Sequence, residues 1–585
     1  MPVNTPIDFI DAYQSWLKDP VIDPDTKAEL QDISHDPKEI EDRFYKNLDF
    51  GTGGMRGIIG AGTNRINIYT IRKATQGLAN YILATSACDA TNPEHPPQAV
   101  AIAHDSRHMS QEFATEAALV LAANGIKAYT FDALRPTPLL SFAVRHLGCI
   151  AGIVVTASHN PPEYNGYKVY WSDGGQCPSP RDEEIIAEVE KVTHFVMVKT
   201  MPKVLAEEAG LFALAPPEID QAFHNHVMSL RLNPGVAPQS NMGIVYTPLH
   251  GAGNVPVQTI LQAAGFQHVH TVPEQEVPDG DFPTVSYPNP EDIAAFTLGI
   301  ALAQEKGADI VLATDPDCDR VGAAVKHHGD YKLLSGNATG VLLADYIITQ
   351  KQANGTLPAN GAILSTIVST KMTQAIAKAH GLAYMEVLTG FKYIGEKIKA
   401  FEDTGSHQYI FGFEESFGYL AGTHARDKDA VGGALLICEM AAHYHAQGLT
   451  LFDALAQLHK TYGVFKEHTE SITLKGIDGV EKMKKIMAQL RQRPPAALNG
   501  DKVVAIRDYQ SGQQTCLLTG ATEPTHLPIS NVLYYQLETG AWLCVRPSGT
   551  EPKIKIYFGT TGATEAQAQA TLEALVAAMF SLLPV

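Results

Sequence analysis

The peptide Thr156-Ala-Ser-His-Asn160 is the part of the chain whose residues most directly suggest covalent chemistry. It follows the apolar run Ile150–Val155 and leads into a loop that is rich in proline and glycine. A hydroxyl that leaves a buried strand in this way is held rigidly and is expected to reach solvent, as a covalent nucleophile must. Ser158 is therefore a candidate nucleophile, with the alternative that it only caps a turn, as many loop serines do.

The neighbours of Ser158 do not indicate a serine hydrolase. The motif lacks the glycines that allow a nucleophile elbow to turn sharply. In an extended segment His159 would point away from Ser158, so we expect it to be a poor general base for that hydroxyl. Activation of Ser158 must therefore come from elsewhere in the chain.

A second apolar run, Ile310–Thr314, ends in three carboxylates at alternate positions, Asp315, Asp317 and Asp319. Side chains at alternate positions of an extended segment point the same way. The three carboxylates would therefore repel one another unless a hard cation lay between them. An EF-hand would need glycine at the sixth position and glutamate at the twelfth, where this chain has Arg320 and Lys326. Calcium sensing is excluded, and a divalent metal such as Mg²⁺ is predicted; a solvated acidic turn is the alternative.

The segment from Arg546 to Lys553 has the composition of a phosphate cradle. Arginine can grip phosphate with two N–H groups, Ser548 and Thr550 offer hydroxyl donors, and Gly549 lets backbone N–H groups approach an anion. The spacing differs from that of a P-loop, so nucleotide hydrolysis is not implied. An ordinary turn after the apolar strand Ala541–Val545 is the alternative.

Glu414 and Ser416 stand two residues apart after the predicted short strand Gln408–Ile410. A carboxylate and a hydroxyl on one side of an extended loop suit the vicinal hydroxyls of a sugar, and aromatic residues nearby suit its ring face. The segment His424–Asp429 adds cations further along the same region. A solvated acidic surface is the alternative for the Glu414–Glu415 pair.

Together these motifs resemble those of the α-D-phosphohexomutases, the phosphoglucomutase and phosphomannomutase superfamily. The resemblance extends over nearly the whole chain, and the motifs follow one another in the order expected of that family. The matching segments are Gly51–Gly57, Thr156–Pro161, Asp315–Arg320, Thr389–Lys392, Glu414–Gly418 and Arg546–Thr550.

The resemblance implies a mechanism in which a resting phosphoserine gives its phosphoryl group to a hexose monophosphate. The serine then recovers a phosphoryl group from the other end of the bisphosphate intermediate. The catalytic residues implied are Ser158, His159, Lys168, Arg56 and Arg320, and the ligands implied for Mg²⁺ are Ser158, Asp315, Asp317 and Asp319. The substrate ligands implied are Thr389, Gly390, Glu414, Ser416, Arg426 and Lys428, with the phosphate ligands Arg546, Ser548, Gly549 and Thr550. Whether Lys168 or His159 carries the proton of the sugar hydroxyl stays open.

The resemblance also indicates which sugar the protein is expected to favour. The loop Glu414–Gly418 and the stretch His424–Asp429 resemble the glucose-type members, so the expected reaction interconverts glucose 1-phosphate and glucose 6-phosphate through glucose 1,6-bisphosphate. Pro316, Cys318 and the lead-in Phe411–Phe413 instead resemble a branch that contains phosphopentomutases. Ribose, deoxyribose and mannose phosphates are the alternatives. A catalytically silent homologue that binds phosphorylated partners and a metal-dependent phosphatase are hypotheses from other classes.

Composition limits the partners and the compartment. The chain has 585 residues and a net charge of −19, with 44 basic and 63 acidic side chains, which disfavours nucleic acid and anionic membranes. Seven widely spread cysteines indicate a reduced, cytoplasmic protein. The start of the chain lacks a signal-peptide pattern, and no apolar run reaches the length of a membrane span. A monomer or a homodimer is expected.

Short apolar runs that alternate with helix-like stretches predict α/β layers. One example is the strand Ala99–Ala103 before Asp105-Ser-Arg107, followed by a helix from Phe113 to Asn124 that Gly125 closes. Guided by the resemblance, we expect four domains, three similar α/β domains with mixed sheets and a smaller C-terminal α+β domain. Their expected bounds are 1–230 with the phosphoserine loop, 231–335 with the metal loop, 336–462 with the sugar loop and 463–585 with the phosphate loop. Near the C-terminus, Thr564 and Gln567 form a capping-box pattern before an apolar helix face.

Overall fold

A computed structural model describes residues 8–48, 50–51, 54–86, 98–473, 477–547 and 553–583. The chain divides into two compact units, each assembled from separate segments. The first unit comprises Met1–Ser335, Phe391–Tyr409 and Ser416–Gly448. The second unit comprises Gly336–Gly390, Ile410–Glu415 and Leu449–Val585.

The first unit contains a seven-stranded mixed sheet in the order β1-β2-β6-β5-β3-β4-β7. Its strands are β1 (Phe50–Gly51), β2 (Gly54–Ile58), β3 (Ala99–His104), β4 (Lys127–Thr130), β5 (Ala151–Val155), β6 (Tyr164–Trp171) and β7 (Phe212–Leu214). β5, β3, β4 and β7 are parallel, and β6 runs antiparallel to β5 and β2. The loops after β3 and β5 therefore leave the sheet at the same edge.

Helices precede, separate and follow these strands. They are α1 (Phe9–Lys18), α2 (Pro24–Asp32), α3 (Pro37–Phe44), α4 (Ile68–Ser86), α5 (Ser110–Ala123), α6 (Thr137–His146), α7 (Arg181–Lys191), α8 (Lys203–Glu208), α9 (Glu218–Met228) and α10 (Val236–Gln239). α5 begins at Ser110, three residues before the predicted start, because its first turn is polar and periodicity of apolar residues does not detect it. Its apolar face, including Phe113 and Leu121, packs in the same core as Val100 and Ile102 of β3.

A second sheet in the first unit has five strands in the order β12-β11-β10-β8-β9. They are β8 (Ile244–Thr247), β9 (Val269–Thr271), β10 (Ile310–Thr314), β11 (Val321–His327) and β12 (Asp330–Leu333). The associated helices are α11 (Asn254–Ala264), α12 (Pro273–Glu276) and α13 (Thr297–Lys306), and short 3₁₀ turns lie at Phe195–Met197 and Ile293–Phe296. β8, β9 and β10 are parallel, and every residue of β10 is buried.

The chain then alternates between the two units. The elements are α14 (Gly336–Ala353), β13 (Gly361–Thr366), α15 (Met372–Ala379), β14 (Ala383–Val387), α16 (Lys392–Thr404), β15 (Gln408–Glu414), β16 (Gly418–Ala421), α17 (Ala430–His445) and α18 (Leu451–Tyr462). In the second unit β13 pairs in parallel with β14, and β15 lies on the other side of β13. β15 extends to Glu414, beyond the predicted end at Ile410, because the buried, stacked rings of Phe411 and Phe413 favour strand structure.

The end of the second unit is an antiparallel sheet with two helices. Its elements are β17 (Val464–Thr473), α19 (Ile477–Gln492), β18 (Ala497–Leu498), β19 (Asp501–Asp508), β20 (Gln513–Cys516), β21 (Thr522–Pro524), β22 (Leu533–Leu537), β23 (Trp542–Pro547), β24 (Lys553–Gly562) and α20 (Glu565–Phe580). The strand order is β17-β24-β23-β22-β19-β20-β21, with β18 on β19. Thr564 caps α20 by accepting the Gln567 N–H, and Leu572, Leu575 and Met579 are buried in the core, as the sequence pattern predicts.

Within the described residues, no helix combines the length and the apolar character needed to cross a membrane.

Candidate active site

Ser158 lies in the loop after β5, in a left-handed backbone conformation with φ of 53°. This conformation costs a residue with a side chain about 1–3 kcal/mol, so the surroundings must hold it in place. The Thr156 hydroxyl accepts the Ser158 N–H at 2.8 Å. Ser158 is only 2 % exposed, and its Oγ donates a hydrogen bond to Asp315 Oδ2 at 2.7 Å. The expectation that this hydroxyl reaches solvent is therefore wrong for the structure described.

The left-handed turn also changes the relation between Ser158 and its neighbour. Nδ1 of His159 lies 3.2 Å from Ser158 Oγ, within hydrogen-bonding distance. The prediction that His159 points away assumed an extended backbone, in which neighbouring side chains alternate. A residue with positive φ breaks that alternation, so the two side chains meet.

The three aspartates follow β10 and converge in a tight turn. The Cys318 N–H donates to the Asp315 carbonyl at 2.9 Å, and Cys318 has φ of 52°. Oδ1 of Asp315 accepts the N–H groups of Asp319 at 3.1 Å and Arg320 at 3.0 Å. Carboxylate oxygens of all three aspartates lie within 4.8 Å of one another. The predicted cluster forms, but a turn produces it, not the alternation of an extended strand.

Two lysines approach the buried carboxylates. Lys168 Nζ lies 2.7 Å from Asp317 Oδ2 and 3.3 Å from Asp319 Oδ2, and Lys428 Nζ lies 3.1 Å from Asp319 Oδ2. Burial and the two neighbouring carboxylates raise the pKa of Asp315 well above its usual range. Burial alone would raise the pKa of Asp317 as well, but the Lys168 ammonium lowers it. Burial alone would lower the pKa of Lys168, and the carboxylates of Asp317 and Asp319 raise it.

The cluster fits a hard divalent cation such as Mg²⁺. Oδ1 of Asp317 and Oδ1 of Asp319 are buried, and neither has a hydrogen-bond partner among the described residues. Buried carboxylate oxygens without partners are costly, and oxygen ligands of this kind are those that Mg²⁺ prefers. With Ser158 Oγ hydrogen-bonded to Asp315, the hydroxyl and the carboxylates form one oxygen-rich group.

Close backbone approaches hold these two loops. A Cβ on Gly166 of β6 would lie 2.3 Å from the Thr156 carbonyl oxygen, and one on Gly251 would lie 2.5 Å from Pro316 Cα.

Thr137, the first residue of α6, donates its N–H to the Asp317 carbonyl and its hydroxyl to Asp317 Oδ2, both at 2.9 Å. The sequence analysis missed Thr137; its position after β4, a strand parallel to β3, is the signal that could have identified it.

The remaining predicted catalytic cations lie at the edges of this group. Arg56, on β2, donates from Nη1 to Asn160 Oδ1 at 3.0 Å, next to the serine loop. Arg320 pairs with Glu291 at 2.5 Å, and its Nε lies 3.8 Å from Asp319 Oδ1. The structure thus places Arg56 with the serine loop and Arg320 with the aspartate loop.

The predicted substrate ligands in the first unit fall into different settings. Lys428 lies among the carboxylates, where it also pairs with Asp427 at 2.8 Å. Ser416 is half-buried between β15 and β16. The Arg426 side chain is fully buried and pairs with Glu402, so its contacts favour a structural role over the predicted substrate contact. Sequence spacing could not detect this, because Glu402 lies on a separate helix.

The second unit holds the other predicted ligands. The Gly390 N–H donates to Glu414 Oε1 at 2.7 Å, which joins the Thr389–Gly390 turn to the end of β15. Glu415, which the sequence analysis did not assign, accepts hydroxyls from Thr366 at 3.0 Å and Ser369 at 3.3 Å.

Arg546 lies on β23, not in the loop that follows it. Burial alone would lower the pKa of Arg546, but Tyr557 and the carboxylates of Glu415 and Glu414 raise it. The predicted phosphate ligand and the predicted sugar ligand therefore influence each other inside one unit. Ser548, Gly549 and Thr550 lie outside the described residues.

A serine hydrogen-bonded to a buried group of three carboxylates, with cations around it, is the kind of site used by metal-dependent phosphotransferases. Comparison with protein families gives four consecutive matches described as phosphoglucomutase/phosphomannomutase. The α/β/α domains I, II and III match residues 47–195, 221–329 and 335–462, and the C-terminal domain matches residues 480–578. The chain belongs to the phosphoglucomutase/phosphomannomutase family. The predicted superfamily and the predicted architecture of three α/β domains and one C-terminal domain are confirmed.

Similar proteins carry names from the same family. A phosphoglucomutase of Staphylococcus epidermidis is 38% identical over 521 residues, which cover 89% of this chain and 92% of that protein. A phosphoglucomutase of Staphylococcus aureus is 38% identical over 522 residues, covering 89% of this chain and 90% of that one.

Solved structures share the fold at lower identity. Parafusin of Paramecium, described as a phosphoglucomutase in an open form, has a TM-score of 0.66 at 17% identity and covers 92% of this chain and 96% of its own. A phosphoglucomutase/phosphomannomutase family protein of Burkholderia thailandensis has a TM-score of 0.63 at 17% identity. The match covers 92% of this chain and 97% of that one.

Proposed function

We propose that this protein is an isomerase that interconverts glucose 1-phosphate and glucose 6-phosphate by phosphotransfer, through a phosphoserine at Ser158 and glucose 1,6-bisphosphate. The hydrogen bond of 2.7 Å between Ser158 Oγ and Asp315, inside a buried group of three carboxylates, carries the chemical part of the proposal. The relatives named phosphoglucomutase, 38% identical over 89% of the chain, support glucose as the sugar.

In the first half-reaction the bond between phosphorus and Ser158 Oγ breaks, and a bond forms between phosphorus and a hydroxyl oxygen of the sugar monophosphate. The electron pair of the broken bond stays on Ser158 Oγ, and the proton of the sugar hydroxyl passes to a base. After the bisphosphate turns, the same steps run in reverse from its other phosphate. Ser158 is phosphorylated again, and the isomeric monophosphate leaves.

The residues around Ser158 fit the charge that this transfer moves. Mg²⁺ held by Asp315, Asp317, Asp319 and an oxygen on Ser158 would act as a Lewis acid that neutralises the transferred group. The carboxylates of Asp317 and Asp319 raise the pKa of Lys168, so its ammonium is suited to supply positive charge next to the transferred group. Arg56 and Arg320, at the serine loop and the aspartate loop, add to that charge.

His159 is the proton carrier that the geometry favours. Its Nδ1 lies 3.2 Å from Ser158 Oγ, whereas Lys168 Nζ lies against the carboxylates, 2.7 Å from Asp317 Oδ2 and 3.3 Å from Asp319 Oδ2. A His159→Gln variant should lose about 10²- to 10⁴-fold in kcat, the usual range for general acid–base catalysis. Steady-state kinetics with glucose 1-phosphate measure this loss, and an unchanged kcat would remove His159 from the role.

The remaining ligands are assigned to the sugar and its second phosphate. The residues proposed to bind the sugar are Thr389, Gly390, Glu414, Ser416 and Lys428. The residues proposed to bind the phosphate that does not react are Arg546, Ser548, Gly549 and Thr550. Arg546 is suited to this role because a guanidinium binds phosphate with two parallel N–H groups.

The Arg546→Lys variant tests the phosphate assignment. An ammonium cannot reproduce the bidentate contact of a guanidinium with phosphate. The KM for glucose 1-phosphate should therefore rise about tenfold, with a smaller change in kcat. Arg491→Lys is the matched control, since Arg491 pairs with Asp508 in the same C-terminal sheet domain and is not assigned to substrate. Equal KM values for the wild type and Arg546→Lys would contradict the assignment.

The proposed reaction is tested by a mutase assay with glucose 1-phosphate, ribose 1-phosphate and mannose 1-phosphate, each with Mg²⁺ and a priming amount of glucose 1,6-bisphosphate. We expect kcat/KM for glucose 1-phosphate to exceed the other two by at least about tenfold, a margin of the size that a few substrate contacts can supply. A higher value for ribose 1-phosphate would assign the protein to pentose phosphates. Absence of turnover with all three sugars would overturn the proposed activity.

Three further assignments belong to the proposal. Domain bounds near residues 230, 335 and 462 can be tested by expressing the separated segments and measuring their folding. A monomer or homodimer can be tested by sedimentation. A cytoplasmic setting agrees with the described cysteines, all of which are free thiols, and cell fractionation tests it.

A further inference from the structure

The turn Asp105-Ser106-Arg107 lies directly beside the Ser158 loop. It follows β3, and β3 is the parallel neighbour of β5, so both turns leave the same edge of the sheet. The side chains of Asp105 and Arg107 are completely buried, and Nε of Arg107 lies 3.4 Å from Asp105 Oδ2. The buried ion pair therefore lies next to the loop that carries the nucleophile.

The guanidinium of Arg107 binds the backbone of the serine loop at several points. Nη2 donates to the carbonyl of Ser158 at 2.5 Å and also to the carbonyl of Asn160. Nη1 donates to the carbonyls of Pro161 at 2.7 Å and Tyr164 at 3.0 Å. One side chain therefore holds four carbonyls of the loop that carries the nucleophile.

Asp105 holds the other side of the same loop. Its carboxylate accepts the Thr156 hydroxyl at 2.5 Å and the N–H of Arg107 at 3.0 Å. The Thr156 hydroxyl in turn accepts the N–H of Ser158 at 2.8 Å. A continuous set of hydrogen bonds thus runs from the ion pair to the backbone of Ser158, on both its N–H and its carbonyl side.

The turn also contacts the domain that carries the aspartates. The Phe282 ring lies 5.0 Å from the Arg107 guanidinium, within the range of a cation–π contact. A Cβ on Gly280 would lie 2.7 Å from the backbone nitrogen of His108, so this segment packs closely on the backbone next to Arg107. Arg107 is therefore fixed by residues of both domains whose loops meet at Ser158 and Asp315.

We infer that Arg107 is a positioning residue for phosphoryl transfer, which holds Ser158 in its left-handed conformation and thereby sets the place of Oγ relative to the three aspartates. The inference rests on the proposed phosphotransfer function. Arg107 makes no assigned contact with substrate, so its loss should affect the chemical step more than substrate binding.

The Arg107→Lys variant tests this role. Lysine keeps the positive charge near Asp105, but a single ammonium cannot reach four carbonyls in two directions as the planar guanidinium does. We expect kcat to fall about 100-fold, the size of effect that a displacement of about 1 Å produces, while KM for glucose 1-phosphate stays within about twofold. The matched control is Arg65→Lys, since Arg65 is also buried and ion-paired in the first unit but binds Asp42.

A second variant keeps the test decisive if Arg107→Lys does not fold. Thr156→Val has nearly the same shape and removes only the hydroxyl that links Asp105 to the Ser158 N–H, and it should also lower kcat at constant KM. Thermal unfolding of each variant shows whether the lost activity reflects lost folding. If the wild type is inactive with every sugar phosphate, the proposed function fails. If the wild type is active and the folded variants keep its kcat, or lose it only as Arg65→Lys does, the positioning role is wrong.

Discussion

Replacement of Ser158 by alanine is expected to abolish mutase turnover, with kcat lower by about 10⁴-fold or more, as for removal of other covalent nucleophiles. Ser158 Oγ is the atom that forms and breaks the bond to phosphorus in the proposed mechanism, and no neighbouring hydroxyl has the same contact with Asp315 among the described residues. The variant should still fold, because it removes one buried hydroxyl from a loop whose backbone contacts remain. Turnover of glucose 1-phosphate primed with glucose 1,6-bisphosphate measures the effect.

The matched control is Ser365→Ala, which also removes one buried hydroxyl. Ser365 lies on β13 and forms a hydrogen bond of 3.0 Å with the Tyr384 hydroxyl, and it is not among the residues assigned to the reaction. It should keep nearly full activity. Comparable turnover by the wild type and Ser158→Ala would show that the phosphoryl group does not pass through Ser158.

The second large effect is expected from Asp317→Asn. The amide keeps the shape of the side chain but removes its negative charge and offers the cation a weaker ligand, so kcat should fall by about 10²- to 10³-fold. Mg²⁺ should raise the melting temperature of the wild type because it binds the folded state, and this shift should be lost in the variant. Calorimetry with and without Mg²⁺ therefore reports on the site independently of activity.

Asp309→Asn provides the control for this experiment. Asp309 immediately precedes β10, at the opposite end of the strand from Asp315, and accepts the Gly243 N–H at 2.9 Å. Its replacement should leave the Mg²⁺-dependent shift intact. If Asp317→Asn retained both the shift and the activity of the wild type, the three aspartates would not be the metal ligands.

Many features of the fold and of the candidate site could be predicted because functional loops follow buried strands. The apolar runs before Ser158 and Asp315 correspond to β5 and β10, and the resemblance of six short motifs gave the family. These signals are local, since strand periodicity and turn composition extend over a few residues. The prediction of a divalent metal site followed from the alternate spacing of the three aspartates and from the repulsion between their carboxylates.

Other features depend on contacts between distant segments, which periodicity cannot detect. The positive φ of Ser158 brings His159 to its hydroxyl, and only the packing around the loop reveals that conformation. Arg426 is predicted from the resemblance to contact substrate, yet its buried side chain pairs with the exposed Glu402 of α16. The role of Arg107 depends on its hydrogen bonds to four carbonyls of another loop, which sequence patterns do not show.

Ser158 is proposed to carry the phosphoryl group during turnover. The most direct measurement is to incubate the protein with glucose 1-phosphate and with glucose 1,6-bisphosphate that carries radioactive phosphorus. The labelled peptide is then isolated, and mass spectrometry identifies the residue that carries the phosphate. We expect labelled phosphate on the peptide that contains Ser158, and its transfer to unlabelled sugar phosphate at least as fast as kcat. No phosphate on Ser158, or a label that remains on the protein while substrate turns over, would contradict it.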